Sequence, residues 1–299
     1  PFCFSCGSQI KNKNEKGKEE IVIHNRIEIN HDKEDPVIPG AKRLELYFNK
    51  VKGKNVGLVV NQTRMVFDSL NTFFENPMIF EEGENNEQYH LADFLTSFKI
   101  EIKIIFTPEH GFRGDADAGE MIKDGNDVKT NIPIISLYGK NKKPTNEHLK
   151  EIDIMVFDIQ DVGVRFYTYI STLHYVMEAC AEQDIPLLIL DRPNPNGHYI
   201  DGPIMEKEHM GFVGMHPIPV VHGMTIGEFD HMINGESWLN EGVQCDITVI
   251  PVKNYTHQTR YSIPIKPSPN LPNDTAINLY PSLCFFEGTP LSAGRGTEM

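Results

Sequence analysis

Three short segments carry most of the polar residues that could do chemistry: Thr107-Pro-Glu-His-Gly-Phe-Arg-Gly114, Asp158-Ile-Gln-Asp-Val-Gly-Val-Arg-Phe-Tyr167 and Asp191-Arg-Pro-Asn-Pro-Asn-Gly197. Each follows a short apolar run. Each therefore delivers carboxylates, arginines and amides to a strand end, where open α/β sheets bind ligands. One such segment is an ordinary surface loop; three together imply a pocket. Glu109 is the sharpest candidate. Pro108 stiffens the turn, Gly111 permits close approach of a ligand or another backbone, and a half-buried carboxyl there can act as a general acid. The competing reading is a structural glutamate that caps a helix or pairs with Arg113. Asp158 and Asp161 offer a second carboxylate opposite Glu109, as base, nucleophile or charge stabiliser. The alternative is that Arg165 neutralises one of them. Asp191 and Arg192 share this ambiguity, with Arg192 able to hydrogen-bond a sugar or a carboxylate. Phe166, Tyr167 and Tyr169 could stack on sugar faces, although core packing claims at least one.

Other chemistries find no support. The first strand ends in Asn61-Gln-Thr63 without a Gly-x-Gly-x-x-Gly turn, which disfavours a dinucleotide cofactor. Gly139-Lys140 lacks the upstream glycine of a phosphate loop. Asp115 and Asp117 begin like a calcium loop, but Glu120 and Asn126 stand at positions that break it. His110, His216 and His222 are dispersed, with no spacing that specifies a metal, and no Gly-x-Ser-x-Gly elbow occurs. Neither a metal nor a cofactor is expected.

The elements that must position these residues follow from periodicity. Apolar, β-branched runs at Val56–Asn61, Ile102–Thr107, Ile132–Leu137, Ile154–Ile159, Leu187–Asp191 and Ile247–Val252 read as strands. Several are apolar on consecutive residues, as in a parallel sheet covered on both faces. Between them, Ile170, Leu173, Val176, Met177 and Cys180 step by three and four along a helix over Tyr169–Ala181. Thr225 and Glu228 form a capping-box pattern ahead of Ile226, Phe229 and Ile233. Another helix spans Leu91–Phe98, preceded by a polar, irregular insertion over Asn71–His90. The expected fold is α/β, a Rossmann-like three-layer and mostly parallel sheet. From about Asn254 the composition changes, and four prolines between Ile263 and Pro272 rule out helix there. The expected organisation is a signal remnant and flexible tether over residues 1–40, a catalytic domain over 41–253, and the start of a smaller C-terminal domain over 254–299.

With 299 residues and a net charge of −14, the chain is unsuited to gripping nucleic-acid phosphates. Its five cysteines are too few and too scattered for a disulfide framework, and Cys180, Cys245 and Cys284 sit in apolar surroundings. Ser5-Cys-Gly-Ser8 resembles the end of a bacterial lipoprotein signal, and a polar stretch from Gln9 to Glu20 follows. Export to the extracytoplasmic, periplasmic side is therefore expected, with lipid at Cys6 as the only membrane attachment.

With these residues laid out, the chain resembles the exo-β-N-acetylmuramidase (NamZ-type) family, formerly known only as a domain of unknown function. The resemblance runs from about Gly53 to the last residue. It rests on Gly57-Leu-Val-Val-Asn-Gln-Thr63, Pro108-Glu-His-Gly-Phe-Arg-Gly-Asp-Ala-Asp117, Leu137-Tyr-Gly-Lys140, Phe157-Asp-Ile-Gln-Asp-Val-Gly163, Arg165-Phe-Tyr-Thr-Tyr169 and the Asp191–Gly197 segment. It continues through His222-Gly-Met-Thr225, Pro267-Ser-Pro-Asn-Leu-Pro272, Tyr280-Pro-Ser282, Phe286-Glu-Gly-Thr289 and Gly294-Arg-Gly-Thr297. The resemblance implies a glycoside hydrolase that releases terminal N-acetylmuramic acid from muropeptides or glycan ends in cell-wall turnover, without a nucleotide cofactor. The family's Pro-Glu-His-Gly glutamate falls on Glu109. Within these blocks, Asn61, His110, Arg113, Gln160, Arg165, Tyr167, Tyr169, Asp191, Arg192, Asn194, His222, Asn270, Glu287 and Arg295 are the expected substrate-binding residues. The family continues beyond the Gly294–Thr297 block. A non-catalytic muropeptide-binding protein is the alternative, and an unrelated α/β amide or ester hydrolase a third reading.

Overall fold

The computed structural model describes residues 35–62, 64–66, 88–112 and 124–291. Cys3, Cys6, Arg113 and Arg295 lie outside the described residues, as does most of the 71–90 insertion. From Pro36 onward the described residues belong to one compact unit.

In chain order the main elements are α1 (Leu44–Val51), β1 (Asn55–Val60), β2 (Arg64–Val66), β3 (Gln88–His90), α2 (Leu91–Ser97), β4 (Glu101–Thr107), β5 (Gly125–Asn126), β6 (Pro133–Ser136), α3 (Asn146–Leu149), β7 (Ile154–Asp158), α4 (Tyr169–Glu182), β8 (Leu187–Leu190), α5 (Ile226–Gly235), β9 (Ile247–Ile250) and α6 (Asp274–Leu283). The principal sheet has the order β5-β6-β4-β1-β7-β8-β9. All its neighbours are parallel except the edge strand β5, which pairs antiparallel with β6. The chain thus runs outward from β1 through β4 to β6, then restarts on the other flank of β1 with β7. That reversal makes a topological switch point, and the carboxyl ends of β1, β4 and β7 converge beside it.

Both faces of the sheet are covered, which explains the continuous apolar runs. Val59, Phe106, Met155, Phe157 and Ile189 join one core with α4 and α5. Val56, Leu58, Val60, Ile105, Val156 and Leu188 join the other with α1 and α2. Three layers result.

Local rules act where they were read. Thr225 Oγ1 accepts from the Glu228 amide while the Glu228 carboxylate accepts from the Thr225 amide, so the capping box opens α5. Two elements depart from expectation. Gln88–His90 is a strand paired antiparallel with β2 rather than irregular chain. After the proline-rich stretch, which is not helical, the chain re-enters helix at α6. There Asn273 accepts from the Ala276 amide as the cap, and Ile277 and Tyr280 pack inward.

Candidate active site

Glu109 stands two residues past β4, on a turn that has little freedom. His110 has φ +72° and Gly111 φ +78°, and the Gly111 amide donates to the Pro108 carbonyl at 3.2 Å. A left-handed histidine is uncommon and costs on the order of 1–2 kcal/mol. His110 is nevertheless buried, so packing enforces the turn and fixes the direction of Glu109. The neighbouring strand end supplies Tyr138: the Leu137 amide donates to the Thr107 carbonyl at 2.8 Å, which sets the two strand ends side by side. Tyr138 neighbours the Glu109 carboxyl; burial and that acidic neighbour together raise the phenol's pKa.

These two side chains line a cleft of about 190 Å³. Its aromatic wall is Phe166, Tyr167, Tyr169 and Tyr280, with ring centroids 4.6 Å apart for Tyr167–Tyr169 and 6.0 Å for Tyr167–Tyr280, both edge to face. Phe212 and Val213 form a lip, while Ser268, Asn270 and Leu271 close another side. Glu287 brings a second carboxyl to the lining. The C-terminal part is tied to the sheet by Gln62, whose amide donates to the Pro267 carbonyl at 2.6 Å. Tyr169 is buried, and its hydroxyl lies 3.5 Å from the carbonyl oxygens of both Glu109 and Pro267.

The structure thus brings Glu109, His110, Tyr167, Tyr169, Asn270 and Glu287 to one cleft, and Asn61 stands just behind it. Other expected residues are engaged elsewhere. Asp158 is fully buried and accepts from Arg192 Nε at 2.5 Å and Nη2 at 2.9 Å. Burial opposes the guanidinium charge, but Asp158 outweighs it and the Arg192 pKa is raised. The pair is a bidentate internal ion pair, so neither partner faces the cleft as a free catalytic or sugar-binding group. Asp191 accepts from the Arg192 and Gly227 amides and from Thr225 Oγ1, anchoring the start of α5. Burial still lifts its pKa to about 6 against those donors.

Arg165 does not neutralise either aspartate. Its Nη1 donates to the carbonyls of Pro203 (2.8 Å) and Ile218, the two ends of the segment that carries Phe212 and Val213. Gln160 donates to the Asp161 and Pro193 carbonyls, both at 2.8 Å. Asn194 bonds the Met224 carbonyl and the Asn196 amide. Its amide group lies against Gly163 and leaves no room for a Cβ there, and the φ of +74° at that position also favours glycine. Asp161 accepts from the Gly163 amide at 2.7 Å, and its other oxygen has no hydrogen-bond partner among the described residues. Burial raises its pKa to about 7. His222 Nε2 lies 3.8 Å from Asp161, and burial lowers the imidazole's pKa to about 4, so the pair is a close approach of weakly charged groups. These residues build the loops behind the cleft.

Reasoning from sequence passed over Tyr138, Phe212, Val213, Ser268 and Tyr280 as site residues. Tyr138 was accessible by the strand-end rule applied to Ile132–Leu137. Phe212 and Val213 had no local signal, because a distant arginine places them. As for metals, Glu206, Glu208 and His209 bring ligand atoms within 4.8 Å of one another, but all three are exposed on a surface turn. No helix among the described residues is long and apolar enough to cross a membrane.

Comparison with known proteins bears on the same region. A family model described as exo-β-N-acetylmuramidase NamZ, N-terminal, matches residues 56–275. A protein of Bacillus subtilis (strain 168) named peptidoglycan β-N-acetylmuramidase NamZ is 42% identical over 259 residues, covering 84% of this chain and 56% of that protein. Two solved DUF1343 family proteins of Bacteroides fragilis NCTC 9343 share the fold. One has a TM-score of 0.74 at 48% identity, covering 89% of this chain and 65% of the other. The second has 0.68 at 34% identity, covering 84% and 61%. The chain therefore spans little more than half the length of the curated relative it matches.

Proposed function

Because this chain belongs to the exo-β-N-acetylmuramidase NamZ family, we propose that it is the sugar-cleaving part of a glycoside hydrolase that releases N-acetylmuramic acid from the non-reducing ends of peptidoglycan fragments. The observation that carries this reading is Glu109: a carboxyl fixed by a left-handed turn, beside Tyr138, in a cleft walled by aromatic rings. Glycosidic cleavage passes through an oxocarbenium-like state and needs a proton on the departing oxygen. Glu109 is the group that delivers it, and Glu287 is the second carboxyl of the same lining, available to activate water or meet the anomeric carbon. Asp158 and Asp161 support the site from behind. Phe166 and Phe212 are the partly exposed rings that can meet a pyranose, with the buried Tyr167, Tyr169 and Tyr280 packed behind them. Nothing in this scheme calls for a nucleotide or a metal.

The same reading places the protein outside the cytoplasm, on peptidoglycan rather than nucleic acid, with lipid on Cys6. The Ser5-Cys-Gly-Ser8 sequence supports it. Mass spectrometry of the protein from its host should find the acylated Cys6, and an unmodified thiol there would remove the anchor.

The test of activity is release of the aglycone from a chromogenic β-N-acetylmuraminide, with the free sugar identified by mass spectrometry. Turnover by the wild-type chain, or by the chain joined to its family's C-terminal portion, is the expected result. Binding of N-acetylmuramic acid without release from either form would leave a muropeptide-binding protein instead.

A further inference from the structure

The carboxyls that line the cleft, Glu109 and Glu287, pose a problem for an anionic sugar. N-acetylmuramic acid differs from N-acetylglucosamine by a lactyl ether that ends in a carboxylate. A lining carboxyl repels such a group whenever it is ionised, unless a cation stands near it. Of the four arginines expected to bind substrate, the two among the described residues are already committed. Arg165 holds the carbonyls of Pro203 and Ile218, and Arg192 holds Asp158.

A cation does stand at the lip. The Lys142 ammonium lies 4.3 Å from the centroid of the Phe212 ring, and Phe212 lines the cleft. Lys142 belongs to the connection after β6, which also carries Tyr138 beside Glu109. One short stretch therefore reaches from the acid to the lip. The next residue anchors it: Lys143 Nζ donates to Glu178 and to Glu182, both at 2.7 Å. Lys142 has no carboxylate within 4.0 Å among the described residues, so Lys143 takes the acidic partners and leaves its neighbour's charge uncommitted. The ring under Lys142 is itself held. Phe212 lies nearly parallel to Tyr175, at 16° and 6.3 Å between centroids, and its carbonyl accepts from Ser171 Oγ at 2.7 Å. A half-buried ammonium over a fixed aromatic face can accept an anion on its open side while keeping the cation–π contact.

We infer that Lys142, seated on Phe212, is the residue that reads the lactyl carboxylate and so selects muramic acid over glucosamine. The inference rests on the functional reading above, yet binding alone decides it. The experiment is calorimetric titration of N-acetylmuramic acid, and of its neutral lactyl amide, into the wild-type chain, Lys142→Met and Lys142→Arg. Methionine keeps the stem's packing on Phe212 and removes the charge. Lys142→Met should weaken binding of the acid about two- to fivefold, the range of a partly exposed ion pair. It should also flatten the dependence of that binding on salt. Lys142→Arg should retain the affinity, and the amide should bind all three proteins alike. An unchanged affinity for the acid in Lys142→Met, or an equal loss for acid and amide, overturns the assignment. Failure of the chromogenic assay would count against cleavage and leave this binding result standing, so the two failures are distinguishable.

Discussion

Acidic side chains meet two different fates beyond the carboxyl ends of this sheet. Beside β7 and β8, Asp158 and Asp191 are buried and enclosed by donors: two guanidinium nitrogens for one, two amides and a hydroxyl for the other. Beside β4, Glu109 is half-buried, meets a phenol and faces a cleft. Both regions obey the rule that buried polar groups find partners. They differ in what the partners leave over. Asp158 spends both oxygens on one arginine, and its charge cannot be taken from it without stranding another. Glu109 keeps a face toward space that a substrate can enter. Position at a strand end is common to both; reactivity goes with access.

That comparison breaks first at Asp158. Asp158→Asn strands the buried Arg192 charge and should cost roughly 3–5 kcal/mol of stability. Urea unfolding would measure it. A variant with near-normal stability would mean that the ion pair is not what holds the two strand ends together.

Glu109→Gln probes the other side. It should lower the catalytic rate by about 10²-fold or more on a muraminide substrate, leave affinity nearly intact, and hardly move the unfolding midpoint. Near-normal turnover would hand the acid role to Glu287. A large loss of stability would make Glu109 a structural residue, like Asp158.

Asp161 sharpens the comparison, because it is buried yet under-supplied with donors. Its folded pKa of about 7 stands above the value of ~3.9 of an unfolded aspartate. The native state therefore holds a proton that the unfolded chain releases, and this group's contribution to stability falls as pH rises from about 4 to about 7, then levels off. Asp161→Asn cannot ionise and escapes that loss. The difference in unfolding free energy, Asp161→Asn minus wild type, should climb across the same window by at most about 1.4 kcal/mol per pH unit. A difference independent of pH would show that the carboxyl is ionised in the native state throughout.

The sheet was legible because both its faces are buried. Runs such as Met155-Val-Phe157 and Leu187-Leu-Ile-Leu190 have no polar position to spare, and their order with the intervening helices implies parallel pairing. Thr225 and Glu228 announced α5 by side-chain chemistry alone. The site was legible only up to the strand ends. Sequence placed Glu109 beyond β4 but could not separate its surroundings from those of Asp158, since partner and distance decide which carboxyl is locked in an ion pair and which lines the cleft. Nor could it foresee that Arg165 would turn away from both aspartates, because its acceptors lie 38 and 53 residues further along the chain. α6 escaped notice because a proline run precedes it and Pro281 sits inside it.

The arginine strap has a consequence for motion. One guanidinium group joins the carbonyls at both ends of the segment from Pro203 to Ile218, and Ser171 holds its tip. None of these bonds belongs to the sheet ladder. The segment's far end is also rooted in the core through the buried His216 and Ile218, so it is the partly exposed stretch around Phe212 and Val213 that can lift as a local opening event while every strand stays paired, at less than the cost of global unfolding. In hydrogen exchange, the amides around Phe212 and Val213 would form a class of their own, faster than those of β1 and β7. The lip of the cleft would then set its own pace for admitting a sugar and letting it go, apart from the stability of the scaffold beneath.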